Sequence, residues 1–316
     1  MDLTILYRGP LASCDYDCGY CPFAKRRDTP EQLRADRAAL RRFATWVGAQ
    51  TGDRISVLFT PWGEALTRSW YREALVELSH LPHVARVAVQ TNLSCRLDWL
   101  EAADLDTLAL WCTYHPDQVA FERFVGKHRG LVERGVRHSV GIVGQPEHLA
   151  AARRLRAALD PATYLWVNAA EGRAYTDTEA SQWAEIDPLF PVSRLPHASL
   201  GRACRTGESV ISVDGEGRVR RCHFVSRSDP AEELGNLYDD SFRAALAPRT
   251  CPLRQCDCHI GYVHMPELGL YPIFGSGVLE RIPDPSMPIL SQPQLTQIPA
   301  AVHPTHLASG TWPNPT

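Results

Sequence analysis

Apolar residues in the first half of the chain recur in two alternating rhythms. Short apolar runs at Leu3–Tyr7, Ile55–Phe59, Val84–Val89, Thr107–Thr113, Val136–Val143 and Tyr164–Val167 read as strands. Between them lie segments with helical spacing: Pro30–Gln50 behind Thr29 as N-cap, Arg68–Leu78, Leu97–Ala103, Gln118–Arg134 and Glu147–Leu159. Gly135 follows the fourth of these as a C-cap glycine. Strands that alternate with helices predict a parallel sheet with right-handed crossovers. Six such units are too few for a closed eightfold barrel and predict an α/β fold, an open or partial (β/α)6 TIM-like barrel. Ligands of such sheets gather at the C-terminal ends of the strands.

The rhythm fades after residue 170, so residues 1–170 are expected to form the core. Residues 171–200 read as a linker with one short helix. Residues 201–265 hold five of the ten cysteines and few regular elements. Within them Val210–Cys222 reads as a β-hairpin, turning at Asp214-Gly215. Residues 266–316 are rich in Pro, Ser, Thr and Gln and are expected to form a tail with a segment or two packed on the core.

Composition narrows the function. A hydrophobic fraction of 44% and a charged fraction of 22% are ordinary for a soluble globular protein. The net charge of −3 argues against a general nucleic-acid surface. No apolar run approaches the ~20 residues of a membrane span. The N-terminus lacks the basic and apolar regions of a signal peptide, so the expected location is the cytoplasm. In a reducing compartment, clustered cysteines point to metal rather than to disulfides.

The first cluster is Cys14-Asp-Tyr-Asp-Cys18-Gly-Tyr-Cys21, on the loop after the first predicted strand. Thiolates are the usual ligands of iron–sulfur clusters, and three of them leave one iron open. The C-x₃-C-x₂-C spacing, the aromatic Tyr20 before the last cysteine and the position after strand one resemble the signature of the radical S-adenosylmethionine (SAM) superfamily. The resemblance implies a [4Fe–4S] cluster on Cys14, Cys18 and Cys21 whose open iron binds SAM. It also implies reductive cleavage of SAM to a 5′-deoxyadenosyl radical, which abstracts a substrate hydrogen, with flavodoxin or ferredoxin as electron donor. Tyr20 would lie near the adenine. Thr60-Pro61-Trp62-Gly63-Glu64 is similar to the superfamily's G-G-E motif, with Trp62 in place of the first glycine, and makes Glu64 a candidate for the SAM amino group. Asn92 of Gln90-Thr91-Asn92, His115 after the fourth strand, and Val143 in Val140–Gly144 are further candidates for the SAM pocket. The alternatives are a helix-cap acid at Glu64, an Asx turn at Asn92, an ordinary loop histidine and plain strand packing.

The second cluster comprises Cys204, Cys222, Cys251, Cys256 and Cys258. Cys204, then Gly217-x₄-Cys222, then a later cysteine group resembles the start of the SPASM and twitch domains, which carry auxiliary [4Fe–4S] clusters. Five thiols imply one such cluster with one spare thiol or with an open iron, Cys256 and Cys258 competing most directly. Structural zinc, with His223 or His259 substituting, is the alternative. Cys95 and Cys112 read as isolated core thiols. An auxiliary cluster implies either electron acceptance from a substrate radical or sulfide donation. The first strand begins at residue 3, which favours a small-molecule substrate such as a natural-product precursor over a peptide. A zinc scaffold without enzymatic activity is the rival class.

Overall fold

The computed structural model describes residues 1–21, 23, 27–194, 196–228 and 232–286. The core follows the predicted order: β1 (Asp2–Arg8), α1 (Pro30–Ala49), β2 (Arg54–Phe59), α2 (Ser69–Ser79), β3 (Val84–Thr91), β4 (Leu108–Tyr114), α3 (Phe121–Glu133), β5 (Arg137–Val143), α4 (Leu149–Ala158) and β6 (Leu165–Asn168). Leu97–Ala103, expected as a short helix, holds a single 3₁₀ stretch at Asp98–Ala102. Thr29 caps α1 in a full capping box with Gln32, satisfying two backbone N–H groups at the helix start. Gly135 takes the left-handed conformation, φ 68°, after α3.

β1 to β6 are parallel neighbours in sequence order. The expected linker holds two helices, α5 (Asp177–Ala184) and α6 (Phe190–Ser193), followed by β7 (His197–Ala198). Then come β8 (Ala203–Cys204), β9 (Val210–Asp214), β10 (Arg218–Arg220), α7 (His223–Ser228), β11 (Glu233–Asn236), β12 (Arg249–Thr250), β13 (Gln255–Cys256) and α8 (Leu270–Phe274). The expected hairpin is β9–β10. It joins the free edge of β1, with β9 parallel to β1, and β11 completes a nine-stranded sheet. The left-handed residue of its turn is Gly217, φ 81°, where a Cβ would strike the Tyr238 ring.

Strand alternation divides the core in two. Leu3, Ile5, Tyr7, Val57, Phe59, Val87, Val89, Leu110 and Val140 pack with the helices on the outer face. Leu6, Leu58, Ala88, Trp111, Trp166 and Val210 face inward and share one cluster with Met265, Leu268, Ile273, Phe274 and Leu279. Strands as far apart as β9 and β6 meet the same segment, so the sheet curls around it into a partial barrel. Residues 266–282, at the head of the tail in which a segment or two is expected to pack on the core, fill the concave face. The rest of that tail lies outside the described residues.

This filling is anchored by charge. Glu280 is fully buried and pairs with Arg137 at 2.5 Å and Arg86 at 3.6 Å. Arg281 is 6% exposed, lies over the Trp111 ring at 4.8 Å and donates to the His259 carbonyl at 2.7 Å. Removing one member of such a network leaves the others buried without a counter-charge. Glu280→Ala is therefore expected to destabilise the chain by about 3 kcal/mol, seen as a lower urea midpoint. A loss below about 0.5 kcal/mol would show that the segment does not hold the concave face.

Candidate functional site

The cysteine loop leaves the C-terminal end of β1 through Leu11-Ala12-Ser13, and this run-in is gripped on both sides. Asp36 of α1 accepts from Leu11 N at 3.1 Å, and Asp28 accepts from Ala12 N at 2.9 Å and Ser13 N at 2.8 Å. On the other side Gly63 N donates to Leu11 O and Glu64 N to Ser13 O, at 3.1 and 3.0 Å. A Cβ on residue 63 would stand 2.0 Å from the Ser13 oxygen, so only glycine allows this approach.

Glu64 is 4% exposed, and its carboxylate is bonded inside the protein. Oε1 accepts from Leu66 N at 3.0 Å and Thr91 Oγ1 at 2.7 Å, and Oε2 accepts from Asn92 N at 2.7 Å. It thus caps the 3₁₀ turn Ala65–Thr67, matching the helix-cap alternative, and ties the β2 loop to the β3 loop. Burial pushes its carboxyl up to about 7 against the pull of these donors. Asn92 continues the link: its Nδ2 donates to Asp15 Oδ1 at 2.9 Å and lies 3.8 Å from Cys14 Sγ. Its Oδ1 accepts from Ser94 N at 2.9 Å, which is an Asx turn. Leu93 follows with φ 58°, a conformation that costs a non-glycine residue energy and clusters at functional sites.

On the far side, His115 Nδ1 lies 2.8 Å from the Tyr20 hydroxyl and 3.3 Å from Cys18 Sγ. Burial holds this imidazole down at about 4, so it is neutral at neutral pH, with one donor and one acceptor nitrogen. Tyr20 also meets His148 edge-on at 5.2 Å, and the Val143 carbonyl accepts from His148 Nδ1 at 3.0 Å. Glu64, Asn92, His115 and Val143, at the C-terminal ends of β2 to β5, thus gather beside the Cys14–Cys21 loop that carries Tyr20. Burial pushes the Cys14 thiol up to about 12. A metal would reverse that preference for the neutral form.

The second cysteine group comes together from separate segments. Cys204 ends β8, Cys222 precedes α7, Cys256 ends β13, and Cys258 follows it. The charges of Cys204 and Cys258 both act on Cys222, and those of Cys258, Cys222 and Cys204 act on Cys256. Cys251 bridges to Leu200, and its N–H donates to the Arg202 carbonyl at 2.8 Å, next to β8. Of the five candidates, Cys204, Cys222, Cys256 and Cys258 lie within electrostatic reach of one another. Cys112 is buried in the outer core, as expected of an isolated thiol. Cys95 packs half-buried against that core.

Sulfur in these sites is prepared for negative charge. Backbone N–H groups of Phe224 and Val225 point at Cys222, those of Ile260 and Gly261 at Cys258, and that of Cys258 at Cys256. Tyr16 N lies 3.4 Å from Cys14 Sγ. Such donors favour a thiolate over a thiol and are found around iron–sulfur ligands. Among the described residues no three His, Cys, Asp or Glu side chains draw close enough to hold a single metal ion. The four ligands of one zinc, at Zn–S bonds of ~2.3 Å, stand about 3.8 Å apart. A four-iron cubane takes its thiolates at its corners, wider apart, and the thiolate chemistry of both donor sets suits such a cluster.

No protein-family model matches the sequence, and no curated protein matches it. Solved structures do match by fold. The chain aligns with anSMEcpe carrying bound AdoMet at a TM-score of 0.51 and 11% identity, over 78% of this chain and 80% of that one. Native anSMEcpe with bound AdoMet aligns at 0.51 and 12%, over 77% and 83%. Native anSMEcpe with bound AdoMet and Kp18Cys peptide aligns at 0.50 and 11%, over 77% and 82%. At this identity the likeness is one of fold: a partial (β/α)6 barrel of the kind the N-terminal motif implies.

The corner at residues 63–64 yields a test. Gly63→Ala is expected to destabilise the apoprotein by about 3 kcal/mol or to loosen the cysteine loop. Glu64→Gln replaces one acceptor oxygen by a donor facing backbone N–H groups and should cost about 2 kcal/mol. Chemical denaturation of the apoproteins measures both. Wild-type stability in Glu64→Gln would mean that the carboxylate is not satisfied internally.

Proposed function

We propose that this chain is a radical SAM enzyme that abstracts hydrogen from a substrate, with an auxiliary iron–sulfur cluster accepting the electron left behind. The observation that carries the reading is the cysteine triad on the loop after β1, within a fold shared with a protein that binds AdoMet. When bound, SAM and the [4Fe–4S] cluster supply a 5′-deoxyadenosyl radical at the mouth of the barrel. The chain's part is to hold and shield. Cys14, Cys18 and Cys21 would bind the cluster and leave one iron for SAM. Asn92 and His115 hold the loop at Cys14 and Cys18, while Tyr20 and Val143 line the side where the adenine would lie. Residues 266–282 close the floor, which confines the radical to the open end.

Cys204, Cys222, Cys256 and Cys258 would ligate the auxiliary cluster. Four thiolates satisfy all four irons, which favours electron acceptance over sulfide donation or direct substrate contact. Cys251 is the spare thiol in this reading. The substrate is a small molecule or a peptide. Charge and composition favour neither, and the peptide-bound state of anSMEcpe supports keeping the second.

Anaerobic reconstitution tests the reading. The wild type should be brown and bind about eight irons per chain. Replacing Cys14, Cys18 and Cys21 together by Ala should abolish 5′-deoxyadenosine formation from SAM and dithionite. Cys256→Ala should lose about half the iron, and Cys251→Ala none. Continued SAM cleavage by the triple variant would sink the assignment, and colourless zinc-loaded protein would establish the scaffold instead. Clusters rebuilt with ³⁴S separate the two auxiliary roles, since only a sulfur donor passes label into product.

A further inference from the structure

The indole of Trp62 is a meeting point for three segments. The Arg8 guanidinium, at the end of β1, lies over its ring at 4.5 Å. Phe23, two residues past Cys21, packs against it at 5.0 Å, and His223, beside Cys222, meets it edge-on at 4.8 Å. All four side chains are half-buried. The backbone under the indole cannot shift, because Gly63 is wedged against Ser13 and Gly63 N is bonded to Leu11 O. Trp62 is thus planted on the first cysteine loop and reaches the segment that bears the second cysteine group. Edge-on ring pairs and a guanidinium over an indole are directional contacts, so they fix position as well as fill space. A glycine here, as in the motif that residues 62–64 resemble, would remove all three.

We propose that Trp62 is the spacer that sets the separation between the Cys14–Cys21 loop and the Cys222 segment. Arg8 reinforces the same link, since it stacks on the indole while its charge also acts on Cys258. Trp62 is a positioning residue: it holds His223, and through it Cys222, against the first loop. The consequence for electron transfer rests on the two-cluster reading above, whereas the spacing itself does not.

Trp62→Gly and Trp62→Phe test it in the full chain. In the apoproteins, amide hydrogen exchange at residues 222–225 should rise about tenfold for Gly and about threefold for Phe, with α3 amides unchanged. In reconstituted samples both variants should keep the wild-type iron content. The magnetic coupling between the two reduced centres, read as line broadening by electron paramagnetic resonance, should weaken in Trp62→Gly and be largely restored in Trp62→Phe. Wild-type exchange and coupling in Trp62→Gly would overturn the proposal. Should circular dichroism show Trp62→Gly to be unfolded, Trp62→Phe decides: no local rise at 222–225 overturns it. Absence of iron from the wild type would remove the two-cluster reading and leave the exchange experiment to judge the spacer alone.

Discussion

The close approach of Gly63 to the Ser13 carbonyl is the constraint on which the mouth of this barrel depends. It brings two loops from neighbouring strands into backbone contact, so that Leu11 and Ser13 spend their carbonyls on Gly63 and Glu64. Their N–H groups go to Asp36 and Asp28. Asp36 is 1% exposed and also accepts from Trp70 Nε1 at 2.7 Å and Tyr71 Oη at 3.1 Å. A buried carboxylate is tolerable only with several donors, and here each donor belongs to an element that must be in place. The cysteine loop consequently starts from a position agreed by β1, β2, α1 and α2 before any metal arrives.

Further along the loop, support passes from backbone to side chains. Glu64 fixes the β3 turn, Asn92 of that turn reaches Asp15 and Cys14, and His115 reaches Tyr20 and Cys18. Three consecutive strand ends thus each contribute one polar group to the same loop. The concave face below is treated differently. Trp111 and Trp166 pack at 5.4 Å, and the Trp166 ring occupies the space a side chain on residue 141 would need. Below, the filling is apolar apart from Arg281 and the Glu280 pairs with Arg86 and Arg137 that pin it. Above, at the strands' C-terminal ends, polar contacts hold the cysteine loop.

The six β/α units were legible because each carries its own periodic signal and cap. Thr29 and Gly135 act locally, and the apolar runs keep one face per element whatever lies across from them. The hairpin was legible for the same reason, but its place on the β1 edge was not, since pairing partners are not written in either strand. Residues 266–282 were read as the start of a tail because short turns at Pro266–Leu268 and Leu270–Phe274 show neither helical nor strand periodicity over enough residues. Their apolar side chains have a role only once the sheet curls. Asp28 and Asp36 gave no signal at all: a carboxylate in a loop, or one on an apolar helix face, looks like any polar residue until its donors arrive from elsewhere. Glu64 and Asn92 were found through motif position, and what the structure adds is that their polar atoms are engaged within the protein.

The two cysteine groups differ in how much of their geometry the polypeptide supplies. The first sits on one loop of eight residues, clamped by strands that form regardless of ligation. The second draws on positions 204, 222, 256 and 258; of these Cys204 and Cys256 sit in two-residue ladders, between β8 and β12 and between β7 and β13. Ladders that short contribute little stability by themselves. Burial pushes the Cys222 thiol up to about 11 and raises Cys256 and Cys258 as well, so unligated these three favour the neutral thiol and do not attract one another. Under the two-cluster reading, ligation would convert them to thiolates and join three separate chain segments. Binding energy at the second site would then be largely folding energy, whereas at the first it would act on a loop already in position.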